Sequence, residues 1–301
     1  MWDLRLKLPT PSLSLLFFNQ IRILLRKKII HHCRGRAHIL RSSSLLINLL
    51  AVAGPAAAAA AYFIFGQTLW AVCGISVLAV AGMVKQSLRQ PFGLSIVLFV
   101  FLLLNFLINQ LGIHYPYTNI LVLAGMIGLF FFTGLQWSGL FFLPGKSGKW
   151  MLPALISGVV LGAIILLVVF LVPAALPTNP VPRQWPIDVL LVIALGYATF
   201  SALMEETIFR SLMVAFAAPH FSLPVAMVAQ SILFGLLHFR MGEPVGVPGI
   251  FLGSAWGLIA GWLVLKAESI YPAYLMHFVL VLVVFIGLIF SEISLSKRNI
   301  T

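Results

Sequence analysis

Apolar residues run through this chain in blocks of about twenty, closed by Gly, Pro or polar residues and without the alternation of a half-buried strand. Twenty residues of helix cover the ~30 Å of a bilayer's hydrocarbon, whereas a membrane barrel needs alternating strands. The blocks predict helical spans at 44–65, 67–84, 92–112, 119–143, 151–176, 187–209, 222–239, 249–266 and 272–291. Only Gly66 and Gln67 separate the first two. Gly54-Pro55 and the poly-Ala run beside it also admit a bent or re-entrant segment. The expected architecture is all-α, a polytopic integral membrane bundle of about eight to nine transmembrane helices.

Composition agrees with the pattern. The 301 residues are 61% hydrophobic and 9% charged, and mean hydropathy is +1.08, against roughly 25% charged residues in soluble domains. A water-soluble fold cannot hide that much apolar surface. Formal charge is +12, but nine of the 19 Lys and Arg lie between positions 5 and 41. Beside a first span such a cluster marks the cytoplasmic, anionic-lipid side, so membrane lipids are the expected partner and nucleic acid is not. The inner loops then hold Lys85, Arg89, Lys146, Lys149, Arg210 and Lys266, while 114–119 has no Lys or Arg; Arg183, Arg240 and Lys297-Arg298 run against the bias. The orientation implies a multi-pass protein of the cell membrane with a cytoplasmic amino terminus. The stretch 13–25, broken by Asn19, Gln20 and Arg22, reads either as an amphipathic surface helix or as part of a basic tail, and no cleavable signal is visible. The expected division is a basic segment 1–43, amino-terminal helices 44–186, a chemistry-bearing core 187–291 and a tail 292–301. Cys33 and Cys73 form neither a CxxC nor a disulfide framework.

Ionisable groups inside a membrane cost roughly 2.5 to 3.5 kcal/mol each on insertion scales, so each needs a reason. Here they gather in the last third: Glu205, Glu206, Arg210, His238 and His277. Span boundaries drawn strictly put His238 across the membrane from the glutamates. Apolar sequence continues past Arg210 to Ala217, however, and a longer sixth helix brings Glu205 and Glu206 nearer mid-depth. On a helix the two glutamates point about 100° apart and are not expected to share a partner, whereas Glu206 and Arg210 at i, i+4 form an ion pair. That leaves Glu205 available as a general base for water. Taken one at a time, these residues have plainer readings: a surface ion pair at a helix end, an interfacial histidine, a hydrogen-bonded core histidine.

Together they form a pattern: Glu205-Glu206-Thr207-Ile208-Phe209-Arg210, then Phe234-Gly235-Leu236-Leu237-His238, then His277. This resembles the EExxxR, FxxxH and HxxxN motifs of the CAAX-protease and bacteriocin-processing family of intramembrane endopeptidases, over about 187–291. The resemblance implies that Glu205 activates the attacking water, that Glu206 and Arg210 brace it, and that His238 and His277 face the same cavity. It also implies a membrane-associated or lipidated protein or peptide as substrate. Phe234, one turn before His238, would fix the imidazole by packing, and Gly235 would let a neighbouring helix approach. The position four after His277, usually Asn or a small polar residue in the family, is Val281, which cannot donate a hydrogen bond, and Ser211 stands where many relatives have Gly.

Glu205, His238 and His277 are also a legitimate zinc ligand set with an open fourth position, so a metal-dependent and a metal-free glutamate mechanism both stay open. HExxH is absent. Gly253-Ser254-Ala255-Trp256-Gly257 is not a GxSxG elbow and reads as helix packing. His31, His32, His38, His114 and His220 read as headgroup-facing or loop residues, the Phe-rich stretches 99–106 and 130–132 as lipid-facing or core, and Trp137, Trp185 and Tyr271 as an aromatic belt. Two further readings stay beside the protease: a family member without turnover that serves as a scaffold or immunity protein, and an ion-coupled transporter using Glu205 or Glu206.

Overall fold

In a computed structural model the described residues are 45–113, 117–133, 140–172, 185–240 and 244–298, all within the unit Ser44–Thr301. No strand occurs among them. Helix α1 (Leu45–Ala59) widens into a π-helical turn, Ala60–Ile64. Pro55 lies inside α1 without ending it, so the poly-Ala segment is one continuous helix rather than a re-entrant bend. Gly66, at φ +68°, then reverses the chain into α2 (Thr68–Val84). The tip of the Leu78 side chain on α2 packs into the space that Gly54 leaves open on α1.

Helices α3 (Gly93–Gln110), α4 (Tyr117–Thr133) and α5 (Met151–Leu171) follow, then α6 (Ile187–Glu205), which runs without a break through a π-helical segment, Glu206–Met213, into α7 (Val214–Phe221). The last three helices are α8 (Leu223–Leu237), α9 (Gly246–Ala267) and α10 (Tyr271–Arg298). By length and composition, six helical stretches among the described residues can cross a membrane: Leu46–Ile64, Gly93–Gln110, Met151–Leu171, Ile187–Phe221, Gly246–Ala267 and Tyr271–Phe290. Shorter apolar helices, Thr68–Val84, Tyr117–Phe131 and Leu223–Leu237, occupy the second, fourth and seventh expected positions. Large apolar side chains such as Trp70, Val192 and Phe251 face outward, the surface of a bundle whose solvent is lipid.

The sixth expected span ended near 209. The helical stretch instead reaches Phe221, 35 residues in all, and Glu205 falls close to its middle. The longer helix removes the conflict that strict boundaries created between the glutamates and His238. His220, expected in a loop, is buried at the end of α7 with its ring 4.6 Å from Phe221.

Two close approaches hold the chemistry-bearing helices. Against α10, helix α5 presents Gly158 and Gly162; a β-carbon on Gly158 would lie 2.6 Å from the Met276 carbonyl oxygen, and one on Gly162 2.9 Å from Val283. Against α8, helix α9 presents Gly249, Gly253, Gly257 and Gly261, spaced one turn apart. The segment from Leu140 to Lys149 is tied to the α9–α10 turn. There the Lys146 amide donates to Ala267 O (2.6 Å), the Ile270 amide to Phe141 O (2.9 Å) and the Tyr271 hydroxyl to Phe142 O (3.0 Å). Ser211 donates to Leu140 O from the π-helical segment. These bonds set the height of α10, and with it that of His277.

His31, His32, His38, Cys33 and the 13–25 stretch lie outside the described residues, as do His114, Trp137 and Arg183.

Candidate active site

The α6 helix ends on Glu205, and Glu206 opens the π-helical segment. A π-helical turn carries one extra residue and is often found at functional positions. Here the two adjacent carboxylates diverge by one residue and converge on one ring. His277 Nδ1–H donates to Glu206 Oε1 at 2.8 Å, and His277 Nε2 lies 3.8 Å from Glu205 Oε2. The expectation that the glutamates would not face a common partner is therefore corrected. An imidazole has two nitrogens on opposite edges, and each edge meets one carboxylate.

Glu206 is enclosed, with its side chain 1% exposed, and its Oε1 also lies 3.2 Å from Arg210 Nη1. The expected i, i+4 ion pair is present, but Glu206 does more than pair with Arg210, because it also orients His277. The Arg210 guanidinium, fully buried, stacks 4.1 Å above the Phe234 ring. None of its nitrogens makes a hydrogen bond among the described residues, so charge pairing and the aromatic face are what hold it. Phe234 is thus the floor of the arginine as well as a neighbour of His238.

Glu205 differs from Glu206 in access. Its side chain is 16% exposed, and its Oε1 accepts a hydrogen bond from Ser201 Oγ at 2.9 Å, one turn back on α6. His238 caps α8. Its Nδ1–H donates to the Phe234 carbonyl oxygen at 2.9 Å, because a carbonyl can only accept, and the lone pair is left on Nε2. Its ring is 4.6 Å from that of Phe234, and the bare face of Gly253 lies against it: a β-carbon there would sit 3.2 Å from His238 Cγ. Gly235 is pressed by the α9 backbone, where a β-carbon would lie 2.5 Å from Ile250 O. That is the close helix approach its sequence position suggested.

All six expected residues, Glu205, Glu206, Arg210, Phe234, His238 and His277, are brought together. His277 is the hub, since its two nitrogens lie within 4 Å of both glutamates. Sequence reasoning passed over Trp256. Its ring lies 4.2 Å from His277, 4.9 Å from Phe234 and 5.7 Å from His238. Dismissing the Gly253–Gly257 stretch as packing was right for its glycines and hid the tryptophan between them. A signal was available: Trp256 carries a polar N–H into a glycine-lined helix face, which packing alone does not call for. Ser201, four residues before Glu205, was likewise missed.

The zinc set fares less well. Among the described residues no three His, Cys, Asp or Glu side chains are placed to hold a metal ion. This arrangement of donors does not assemble Glu205, His238 and His277 as ligands.

Residues 187–283 match the model of a known family, described as Rce1-like: type II CAAX prenyl endopeptidase Rce1-like. The matched third of the chain contains all six of these residues and also Ser201 and Trp256, and the match agrees with the resemblance carried by the motifs. No curated protein and no solved structure matches the chain.

Proposed function

We propose, for a chain whose residues 187–283 match the Rce1-like type II CAAX prenyl endopeptidase model, that it is an intramembrane endopeptidase hydrolysing a peptide bond of a membrane-associated or lipidated protein or peptide. The observation that carries this reading is the placement of His277 between two carboxylates of unequal access.

In this reading Glu205, the more exposed carboxylate, takes a proton from the attacking water. Water oxygen bonds to the scissile carbonyl carbon, the carbonyl pair moves onto oxygen, and Glu205 then returns the proton to the leaving amine as the C–N bond breaks. Ser201 holds the carboxylate in one rotamer. Glu206 fixes the His277 tautomer with Nε2 toward Glu205, much as a buried carboxylate orients a histidine in a catalytic triad. Arg210 compensates the Glu206 charge, and Glu205 is the carboxylate left to face the water. His238, tethered to the backbone, offers Nε2 to the same space. The division into a 44–186 scaffold and a 187–291 catalytic core, and a cytoplasmic amino terminus, belong to the same proposal.

A second reading is favoured by one observation. Val281, one turn beyond His277 and partly buried against the core, brings no polar group where the family pattern usually has one. A member without turnover that binds membrane peptides would keep the ion-pair scaffold and dispense with that donor.

The test is a comparison of cellular peptide termini between cells making the wild type and cells making Glu205→Gln at equal membrane abundance. The endopeptidase reading expects a set of new termini that vanishes in the variant. Termini that persist unchanged would refute Glu205 as the base, and identical profiles with no wild-type-dependent cleavage would leave the binding reading standing.

A further inference from the structure

Trp256 is buried, 3% exposed, at the centre of the ring cluster, and Arg210 Cζ lies 6.0 Å from its ring. Its Nε1 is enclosed and has no hydrogen-bond partner among the described residues. A buried indole N–H normally finds an acceptor, because it gives up water to be there. Around Trp256 the histidine donors are committed: His277 Nδ1–H to Glu206 and His238 Nδ1–H to Phe234 O. Arg210 is the competing donor: its charge is set against Glu206 at 3.2 Å, and its three nitrogens, like the indole, have no hydrogen-bond partner among the described residues.

The indole is also held rigidly. On α9 it lies between Gly253 and Gly257. A β-carbon on the first would lie 3.1 Å from Gly235 Cα, and one on the second 3.0 Å from Ser231 Cα. The α9 backbone is thereby pinned against α8 on both sides of Trp256. The ring stands nearly perpendicular to those of Phe234 (83°) and His277 (88°). Held by so many neighbours, the donor keeps one orientation, which is what a preorganised site requires.

We propose that Trp256 Nε1–H is a catalytic hydrogen-bond donor that stabilises the oxyanion formed when water adds to the scissile carbonyl. This rests on the endopeptidase reading. The indole transfers no proton. It binds the oxygen that gains the carbonyl electron pair and releases it when the C–N bond breaks and the carbonyl reforms. Val281 contributes no such donor from α10, so the role falls to a residue on the facing helix α9.

The experiment replaces Trp256 with Phe, which keeps a ring and deletes the N–H. A second variant carries 3-benzothienylalanine at 256, an isostere with sulfur where the N–H was. Rates are measured with a peptide spanning a Glu205-dependent cleavage site found by the termini comparison, alongside thermal midpoints in detergent. The expected result is a fall in kcat of about 100-fold or more for the isostere, with KM within about threefold of wild type and an unchanged midpoint. A structural role alone would lower the midpoint of the Phe variant and leave the isostere active. An isostere within about threefold of wild-type kcat, with Glu205→Gln inactive, overturns this proposal and leaves the endopeptidase reading intact. Profiles that do not differ between wild type and Glu205→Gln overturn both.

Discussion

Removing the charge of Glu206 while keeping its shape isolates the electrostatics of the buried cluster. In Glu206→Gln the Oε1 atom still accepts from His277 Nδ1, but Arg210, fully buried, loses its counter-charge at 3.2 Å. With an effective dielectric constant near 20, two unit charges at that distance attract by about 5 kcal/mol. Deleting one partner of a buried pair costs about 3 to 5 kcal/mol in measured cases, because the remaining charge is left uncompensated. For a bundle of this size that corresponds to a fall in apparent melting midpoint on the order of 10 °C. The reciprocal variant, Arg210→Met, leaves Glu206 uncompensated but places a thioether over the Phe234 ring, where the guanidinium stacked at 4.1 Å. The double variant Glu206→Gln/Arg210→Met has no buried charge and should recover most of the loss. Its coupling energy should be about 3 kcal/mol or more, read from thermal unfolding of the four proteins in one detergent. Additivity within about 0.5 kcal/mol would refute the assignment of Glu206 and Arg210 as a mutually dependent pair.

Ser201→Ala removes the hydroxyl that donates to Glu205 Oε1 at 2.9 Å. A hydrogen bond to a charged group is worth about 1.5 to 3 kcal/mol, so kcat/KM on a Glu205-dependent peptide should fall by roughly 10- to 100-fold; a wild-type rate would show that the serine does not position the base. Gly253→Ala puts a methyl 3.2 Å from His238 Cγ and 3.1 Å from Gly235 Cα, forcing α8 and α9 apart at a cost of about 1 to 3 kcal/mol. Gly128→Ala on α4, where a β-carbon meets nothing within 4 Å, should be neutral or slightly stabilising. Equal melting midpoints for the two variants would count against the close α8–α9 contact.

The apolar blocks predict an all-α membrane protein without further help, because no other spanning element satisfies the backbone in lipid. They also place the helix starts at 45, 68, 93 and 151 to within a residue or so of the expected spans. The chemistry was legible for a related reason: a glutamate or histidine inside such a block is costly enough that its presence carries information. Where the blocks end is less legible. Apolar sequence past Arg210 is compatible with a loop or a helix, and only packing against α3 and α8 carries the helix on to Phe221.

Pairwise geometry was the part that spacing could not deliver. Glu205 and Glu206 are neighbours on a helix with divergent directions, and their convergence on His277 depends on the π-helical turn and on α10, 71 residues later in sequence. Trp256 had no charge and no motif to mark it. Its place among two histidines, an arginine and a phenylalanine follows from glycines that bring α9 onto α8. Sequence by itself determined the solvent this chain lives in, the elements it uses there and the ionisable residues that need partners, since each of these is a local cost. Which nitrogen meets which carboxylate, and which donors are left without a partner, was decided by the tertiary structure, because those are distances between helices.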